Sequence, residues 1–294
     1  MKMPRRAGLA LRILALILVV ALAAAACSGS AKPAATPSPD STQLTVTFFD
    51  VGESGDGFLV STKDGHHMLI DGGRRGSGIT ELVRKAGVQE LDHVIGTNPD
   101  ADHIGGLIEV LEKLKVRNVW LSGDTNTTIT FEDFIDAIDA SGAAVHEARR
   151  GAVIRLGSYE ARVVNPFEPL FSDRNNNSVA VRLQVGKVSF LFTGDMEAQA
   201  ERRLAALSSD PPLRATVLKL GHHGSRTSTT EDFLAAVRPE VAIYQAGVNN
   251  RFGHPHAEVL ARLQAAGVRA YGTGVNGKIV ITTDDESYKV QTER

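Results

Sequence analysis

Four short segments hold most of the side chains that can do chemistry. Asn98-Pro99-Asp100-Ala101-Asp102-His103 offers an amide, two carboxylates and an imidazole, and Ile104-Gly105-Gly106 follows it. Thr193-Gly194-Asp195 ends the apolar run VSFLFTGD. Gly221-His222-His223-Gly224-Ser225 follows a short strand pattern, and Gly253-His254-Pro255-His256 precedes a helical one. Oxygen and imidazole donors of this kind ligate divalent metal ions. Singly, each segment has a plainer explanation. An Asp-x-Asp before a helix caps it, His-His-Gly makes a polar loop, and Gly-Asp makes a turn. Together they set Asp and His at the ends of three strands. Six of the nine histidines, His93 included, fall in or beside them. That combination points to a metal site.

Such donors need strands to aim them. The patterning predicts strands over 44–50, 58–61, 67–70, 93–96, 116–121, 152–156, 160–164, 179–185, 188–193, 216–220 and 241–246, with three more near 268–271, 278–282 and 287–290. Helical spacing covers 79–86, 104–114, 131–140, 196–207, 231–237 and 256–266. No repeat of solenoid period is present. Strands mixed with helices in both halves predict an α/β fold of two face-to-face sheets with helices outside, a four-layer αββα sandwich.

The 294 residues are 43% apolar and 22% charged, which excludes a disordered or collagen-like chain. A single long apolar run excludes a polytopic membrane protein. One cysteine excludes an intrachain disulfide and a cysteine zinc cluster. One Trp and four Tyr leave little material for base-stacking platforms.

Lys2, Arg5, Arg6 and Arg12 precede or punctuate the apolar run 9–26, the pattern of an export signal. The run ends Ala24-Ala25-Ala26-Cys27, and small residues before the sole Cys resemble a bacterial lipoprotein cleavage box. The usual large aliphatic residue three places before the Cys is replaced by Ala24. Lipidation of Cys27 would anchor an extracytoplasmic domain to the membrane. An uncleaved anchor and a plain secretory signal are the alternatives. The expected organisation is an export signal over 1–27, a Ser/Ala/Pro/Thr-rich flexible tether over 28–43 and one domain over 44–294. Without residues 1–26 the chain carries 28 Lys+Arg against 34 Asp+Glu, a net charge of −6. The paired arginines are scattered, so no basic run marks a DNA footprint.

The ordered motifs resemble the metallo-β-lactamase fold superfamily, and more narrowly the extracytoplasmic hydrolase-like domain of the competence DNA-uptake protein family ComEC. The matching residues are Phe49-Asp50-Val51-Gly52, Leu69-Ile70-Asp71-Gly72-Gly73, Asp100 to Gly106, Asn175-Asn176-Asn177-Ser178-Val179, Phe192-Thr193-Gly194-Asp195, Leu218-Lys219 with Gly221 to Ser225, and Asn250 to His256. They span about Leu44 to Thr283. The channel segments of that family have no counterpart here, so a stand-alone exported relative is expected. Two positions depart from its pattern. Asn98 stands where the family usually has His. Gly52-Glu53-Ser54-Gly55-Asp56 replaces Gly-Gln-Gly-Asp with one extra residue.

The resemblance implies a metallo-β-lactamase-like sandwich holding one or two divalent ions. One position would use Asn98, Asp100 and a residue within 175–177. The other would use Asp102 and His103 with one of His222, His223, His254 or His256, and Asp195 would bridge. Asp102 and Asp195 would then serve the reaction, an in-line displacement at phosphorus. Asn98 leaves the first position with oxygen donors only, which suits Mn²⁺ or Mg²⁺ better than Zn²⁺. Mn²⁺ or Zn²⁺, with Mg²⁺ as a third candidate, are the expected cofactors. Lys219 is either a catalytic positive charge or a strand-end lysine facing solvent. Asn175, Asn177, Ser178 and Ser225 are candidate substrate contacts, and Ser225 and Thr227 could equally cap a helix. Asp71, and with it Asp50 and Asp56, would orient a ligand histidine.

Three functions compete. The first is an exported phosphodiesterase acting on nucleic acid or a nucleotide, linked to DNA uptake. The second is a non-catalytic envelope protein that binds a ligand or acts as a scaffold through a degraded metal site, which Asn98 and the acidic surface favour. β-Lactam hydrolysis is third, because an oxygen-rich first motif departs from His-rich zinc sites. Nothing in the sequence demands a protein partner.

Overall fold

The run Val188–Phe192 shows why the domain has layers. All five residues are buried. Val188, Phe190 and Phe192 join one apolar cluster, while Leu191 joins another on the opposite face. A strand apolar on both faces must be covered on both. Leu44–Phe48 instead buries alternate residues, as a strand with one wet face does.

The computed structural model of the chain describes residues 44–53, 55–207 and 212–294. The export segment, Cys27 and the tether lie outside the described residues. The strands are β1 (Leu44–Phe48), β2 (Phe58–Thr62), β3 (His67–Ile70), β4 (Glu90–Gly96), β5 (Lys115–Leu121), β6 (Ala144–Glu147), β7 (Val153–Leu156), β8 (Tyr159–Asn165), β9 (Ala180–Val185), β10 (Val188–Phe192), β11 (Val217–Lys219), β12 (Val241–Tyr244), β13 (Arg269–Gly272), β14 (Ile279–Thr283) and β15 (Tyr288–Thr292). The first sheet runs β15-β14-β1-β2-β3-β4-β5-β6, and the second β13-β12-β11-β10-β9-β8-β7. β3 to β6 pair in parallel, and so do β10 to β13.

Helices α1 (Ile79–Lys85), α2 (Ala101–Ile104), α3 (Leu107–Lys113) and α4 (Ile129–Ser141) belong to the first half, and α5 (Ala198–Ala206), α6 (Glu231–Val237), α7 (Ala257–Ala265) and α8 (Thr273–Asn276) to the second. One apolar cluster fills the space between the sheets, one lies under α1, α3 and α4, and one lies under α5, α6 and α7. This is the expected αββα sandwich. Among the described residues no helix is long and apolar enough to cross a membrane.

The single helix expected over 104–114 is two helices, α2 and α3. They part at Gly105-Gly106, where the chain presses on the loop after β3. A Cβ on Gly106 would lie 2.0 Å from the Gly72 carbonyl oxygen, so only glycine fits. β6 and α8 were not expected. β6 is a short, largely exposed edge with little hydrophobic signal.

The parallel strands β3, β4, β10, β11 and β12 all point their C-terminal ends toward loops that carry the candidate donors. Open α/β sheets bind ligands outside such strand ends. The two sheets meet through Phe58 and Phe192, whose ring centroids are 4.8 Å apart and whose side chains are fully buried. Phe192→Ala is expected to lower unfolding free energy by about 3–5 kcal/mol, measured by urea titration; a loss below about 1 kcal/mol would mean that the core there is loosely packed.

Candidate metal centre

The centre is built from buried carboxylates that hold imidazoles in place. Asp71 leaves β3 with φ +56°, a left-handed conformation that is uncommon outside glycine. This turns its carboxylate inward, fully buried. Asp71 Oδ1 accepts from the Thr97 amide at 2.8 Å, and Oδ2 accepts from Thr97 Oγ1 at 2.7 Å. Asp71 Oδ2 also lies 2.9 Å from His103 Nδ1. An ionised carboxylate only accepts, so Nδ1 carries the proton and Nε2 faces the centre. There it lies 3.0 Å from Asp195 Oδ2.

The facing wall repeats the device. His222 and His223 both have positive φ, +47° and +55°, in a short 3₁₀ turn after β11. His223 Nδ1 lies 3.1 Å from Asp56 Oδ1, which directs His223 Nε2 inward. Asp56 Oδ2 forms an ion pair with Lys219 Nζ, and both groups are fully buried. Lys219 Nζ also donates to the Leu220 carbonyl at 2.9 Å. Gln245 clamps the Asp56 loop, donating to the carbonyls of Phe49 and Gly57 and accepting from the Gly57 amide.

Asp195 sits between the two walls. Its amide donates to Ser178 Oγ at 3.2 Å. Gly194 before it has φ +52°, and a Cβ there would meet Thr97 at 2.9 Å, so the close approach of the two strand ends requires glycine. His223 Nε2 lies 3.6 Å from Asp195 Oδ1 and 3.7 Å from Asp102 Oδ2. His223 Nε2 and Asp195 Oδ1 are buried without a hydrogen-bond partner, while His103 Nε2 pairs with Asp195 Oδ2. Orphaned buried polar atoms are costly, and their convergence fits a cation.

Among the described residues, two sets of donor atoms lie within 4.8 Å of one another: Asp102, His103 and His223; and Asp56, His103 and Asp195. Asp56 is already engaged by Lys219 and His223. The ion position that fits is therefore held by Asp102, His103 and His223, with Asp195 beside it. This mixed oxygen and nitrogen set suits Zn²⁺ or Mn²⁺.

The electrostatics show what a cation would replace. Burial by itself would lower the His103 pKa; the carboxylates of Asp195 and Asp71 overcome it and hold that pKa well above the ordinary value. Burial would likewise raise Asp195, but His103, His223 and His222 hold it well below the carboxylate range. His222, desolvated yet facing Asp195 and Glu197, is pushed up to about 9. His254, desolvated and beside His223, His222 and His256, falls to about 4. A proton on His103 thus balances the buried carboxylates, a role a divalent ion would take over, while Glu197 also holds the His222 pKa up.

Several expected site residues sit elsewhere. Asn98 is buried, but its Oδ1 accepts from the Asp100 amide at 2.9 Å, so it closes its own loop. Asp100 turns to Asn126 Nδ2 at 2.9 Å and Arg174 at 3.3 Å. Asp100 is in neither of those donor sets among the described residues. Asn177 bonds Asp124 and the Phe171 backbone, and Ser178 Oγ accepts from the Asp195 amide. Asn175 lies beside Glu197. Ser225 Oγ pairs with Thr227 Oγ1. Asp50 lies at the surface, 3.1 Å from Arg294, and orients no histidine. Lys219 faces neither solvent nor the opening, because its buried ammonium pairs with Asp56. His222 lies 3.8 Å from Asp195. His254 packs against His222 and His223, and the His256 ring nitrogen Nδ1 accepts from the Arg226 amide.

The sequence reading missed Thr97, Glu197 and Gln245. Glu197 Oε1 lies 2.8 Å from His222 Nδ1 and also accepts from Thr227 Oγ1. Its signal was position, two residues beyond a strand-end Asp. Thr97 precedes the donor motif in the same way. Gln245 had no local signal.

Residues 51–248 match the metallo-beta-lactamase superfamily, and the chain belongs to it. It is 31% identical over 257 residues to ComE operon protein 3 of Bacillus subtilis, covering 81% of this chain and 33% of that protein. It is 30% identical over 278 residues to the competence protein ComA of Neisseria gonorrhoeae, covering 92% of this chain and 36% of that protein. The chain thus spans about a third of the length of these curated relatives. Among solved structures it shares its fold with Igni18, a metallo hydrolase from the archaeon Ignicoccus hospitalis, at TM-score 0.51 and 18% identity, over 80% of this chain and 98% of that one.

Breaking a buried ion pair strands a charge. Lys219→Met is expected to cost about 3–5 kcal/mol in denaturant unfolding, and the Asp56→Leu/Lys219→Met pair to recover most of it. The double variant should still bind metal poorly, because His223 has lost its anchor. An unchanged stability in Lys219→Met would show that the pair is not charged.

Proposed function

We propose that this domain is an exported metal-dependent phosphodiesterase acting on nucleic acid or a nucleotide, held at the membrane by a lipidated Cys27. One observation carries the catalytic part. Asp102, His103, His223 and Asp195 converge at the C-terminal ends of strands from both sheets, with His223 Nε2 and Asp195 Oδ1 unpartnered. A bound divalent ion would polarise a phosphoryl oxygen and lower the pKa of water there.

The chain supplies the rest. Asp71 and Asp56 fix the tautomers of His103 and His223. Arg74 lies 3.5 Å from Asp102, and Arg174 3.3 Å from Asp100, each with a partly exposed side chain. Guanidinium groups of this kind bind phosphate oxygens in a fixed orientation. His222, held at Nδ1 by Glu197, is the group placed to hand a proton from Nε2 to a leaving oxygen. The similarity to competence proteins supports a link to DNA uptake.

A second reading rests on Asn98. With its side chain turned to the Asp100 amide, the centre fits one ion, and the domain would then bind a ligand without turning it over.

The two readings separate in one experiment. Bound metal is measured by elemental analysis, and hydrolysis of bis(p-nitrophenyl) phosphate and single-stranded DNA is followed with Mn²⁺, Mg²⁺ or Zn²⁺. Turnover is expected with Mn²⁺ or Zn²⁺ and should fall at least ~100-fold in Asp195→Ala. Asn98→His should raise both metal stoichiometry and rate. No turnover in any metal, with metal content no higher than in Asp195→Ala, would remove the enzyme reading.

A further inference from the structure

Aromatic residues are scarce in this chain, yet one stands exposed at the centre. Phe252 is 43% exposed. Its ring lies nearly parallel to that of His254, with centroids 5.8 Å apart and 21° between planes. The His254 ring in turn stacks on that of His223 at 6.0 Å and 28°. A row of flat rings therefore leads from solvent to the imidazole that faces the ion position. The guanidinium of Arg251 lies over Phe252, 4.8 Å from its centroid. The Arg251 side chain is 65% exposed, and its one ion-pair partner among the described residues, Glu53, is at 4.0 Å.

The backbone holds this row still. Asn250 Oδ1 accepts from the amides of Phe252 and His254, and its Nδ2 donates to the carbonyls of Gly247 and His254. One side chain thus pins the loop at both ends. The loop also contacts the far wall, since the Arg251 amide donates to Glu53 Oε1 at 3.1 Å. His254 Nδ1, within the row, is buried with no hydrogen-bond partner.

We infer that Phe252, with Arg251, is the specificity platform of this centre: it stacks the nucleobase adjoining the phosphodiester held at Asp102, His103 and His223. The inference rests on the phosphodiester reading for the phosphate and adds the base. A planar base takes the place of the guanidinium on the Phe252 ring, and the charge of Arg251 then meets a flanking phosphate. Stacking of this kind tolerates any base, because every base has a π-face. It selects nucleotides and single strands, whose bases can leave a neighbouring stack, over duplex and over aliphatic phosphodiesters.

The test compares two single-stranded oligonucleotides of equal length, one of thymidines and one of abasic spacers, binding to the full chain in EDTA so that no strand is cut. The thymidine strand should bind about tenfold more tightly. Phe252→Ala should erase that ratio, and Phe252→Tyr should keep it. Arg251→Ala should weaken both strands and reduce the salt dependence of binding. Equal affinity for the two strands in the unsubstituted chain, or a ratio untouched by Phe252→Ala, would overturn the platform. Because binding is read without metal, the outcome is separate from turnover. A base preference without hydrolysis would keep the platform and remove the phosphodiesterase, and hydrolysis with no base preference would do the reverse.

Discussion

Three carboxylates buried where the two sheets meet are the constraint on which the centre depends. Asp56, Asp71 and Asp195 have almost no access to water. A buried ion without partners is too costly to keep, so each must be answered by donors or positive charge. Asp71 is answered by Thr97 and His103, Asp56 by Lys219 and His223, and Asp195 by His103 and His223. The same contacts set the imidazole tautomers. Stabilising the carboxylates and aiming the ligand nitrogens are therefore one arrangement, and it is complete only when positive charge occupies the centre.

The centre also carries backbone strain. Asp71, His222 and His223 all adopt left-handed backbone, and Gly106 and Gly194 allow contacts that no Cβ permits. Such conformations persist only where surrounding packing over-determines them. The surrounding packing is the parallel halves of both sheets, whose C-terminal ends open on one side of the molecule. Each sheet supplies part of the candidate donor set, Asp102 and His103 from the first and Asp195 and His223 from the second.

Asn98 changes one wall and spares the other. An imidazole at that place would offer a nitrogen outward; the amide instead accepts from the Asp100 backbone and shortens the loop on itself. Asp100 then turns to Asn126 and Arg174. The wall made by Asp71, His103, Asp56 and His223 depends on none of these contacts. Asp102, His103 and His223 remain together as a candidate donor set, while Asn98 Oδ1 accepts from the Asp100 amide in the neighbouring loop.

The layers and the donor motifs were legible in the sequence because both are local. Val188–Phe192 reads as a strand buried on both faces, Leu44–Phe48 as one buried on a single face, and Asp102, His103, Asp195 and His223 each sit where a strand ends. Family resemblance supplied their grouping. What the tertiary structure decided was which way each side chain turns. Lys219 faces a buried aspartate because Asp56, far off in the chain, arrives beneath it; Asp50, close to it in sequence, points to Arg294 instead. Asn177 and Ser178 spend their polar atoms on neighbours that only folding brings near. Gln245 clamps a loop from another sheet without any local signature. Sequence spacing determines secondary structure through backbone sterics and apolar periodicity, but the destination of a polar side chain depends on which distant charges must be answered once water is gone.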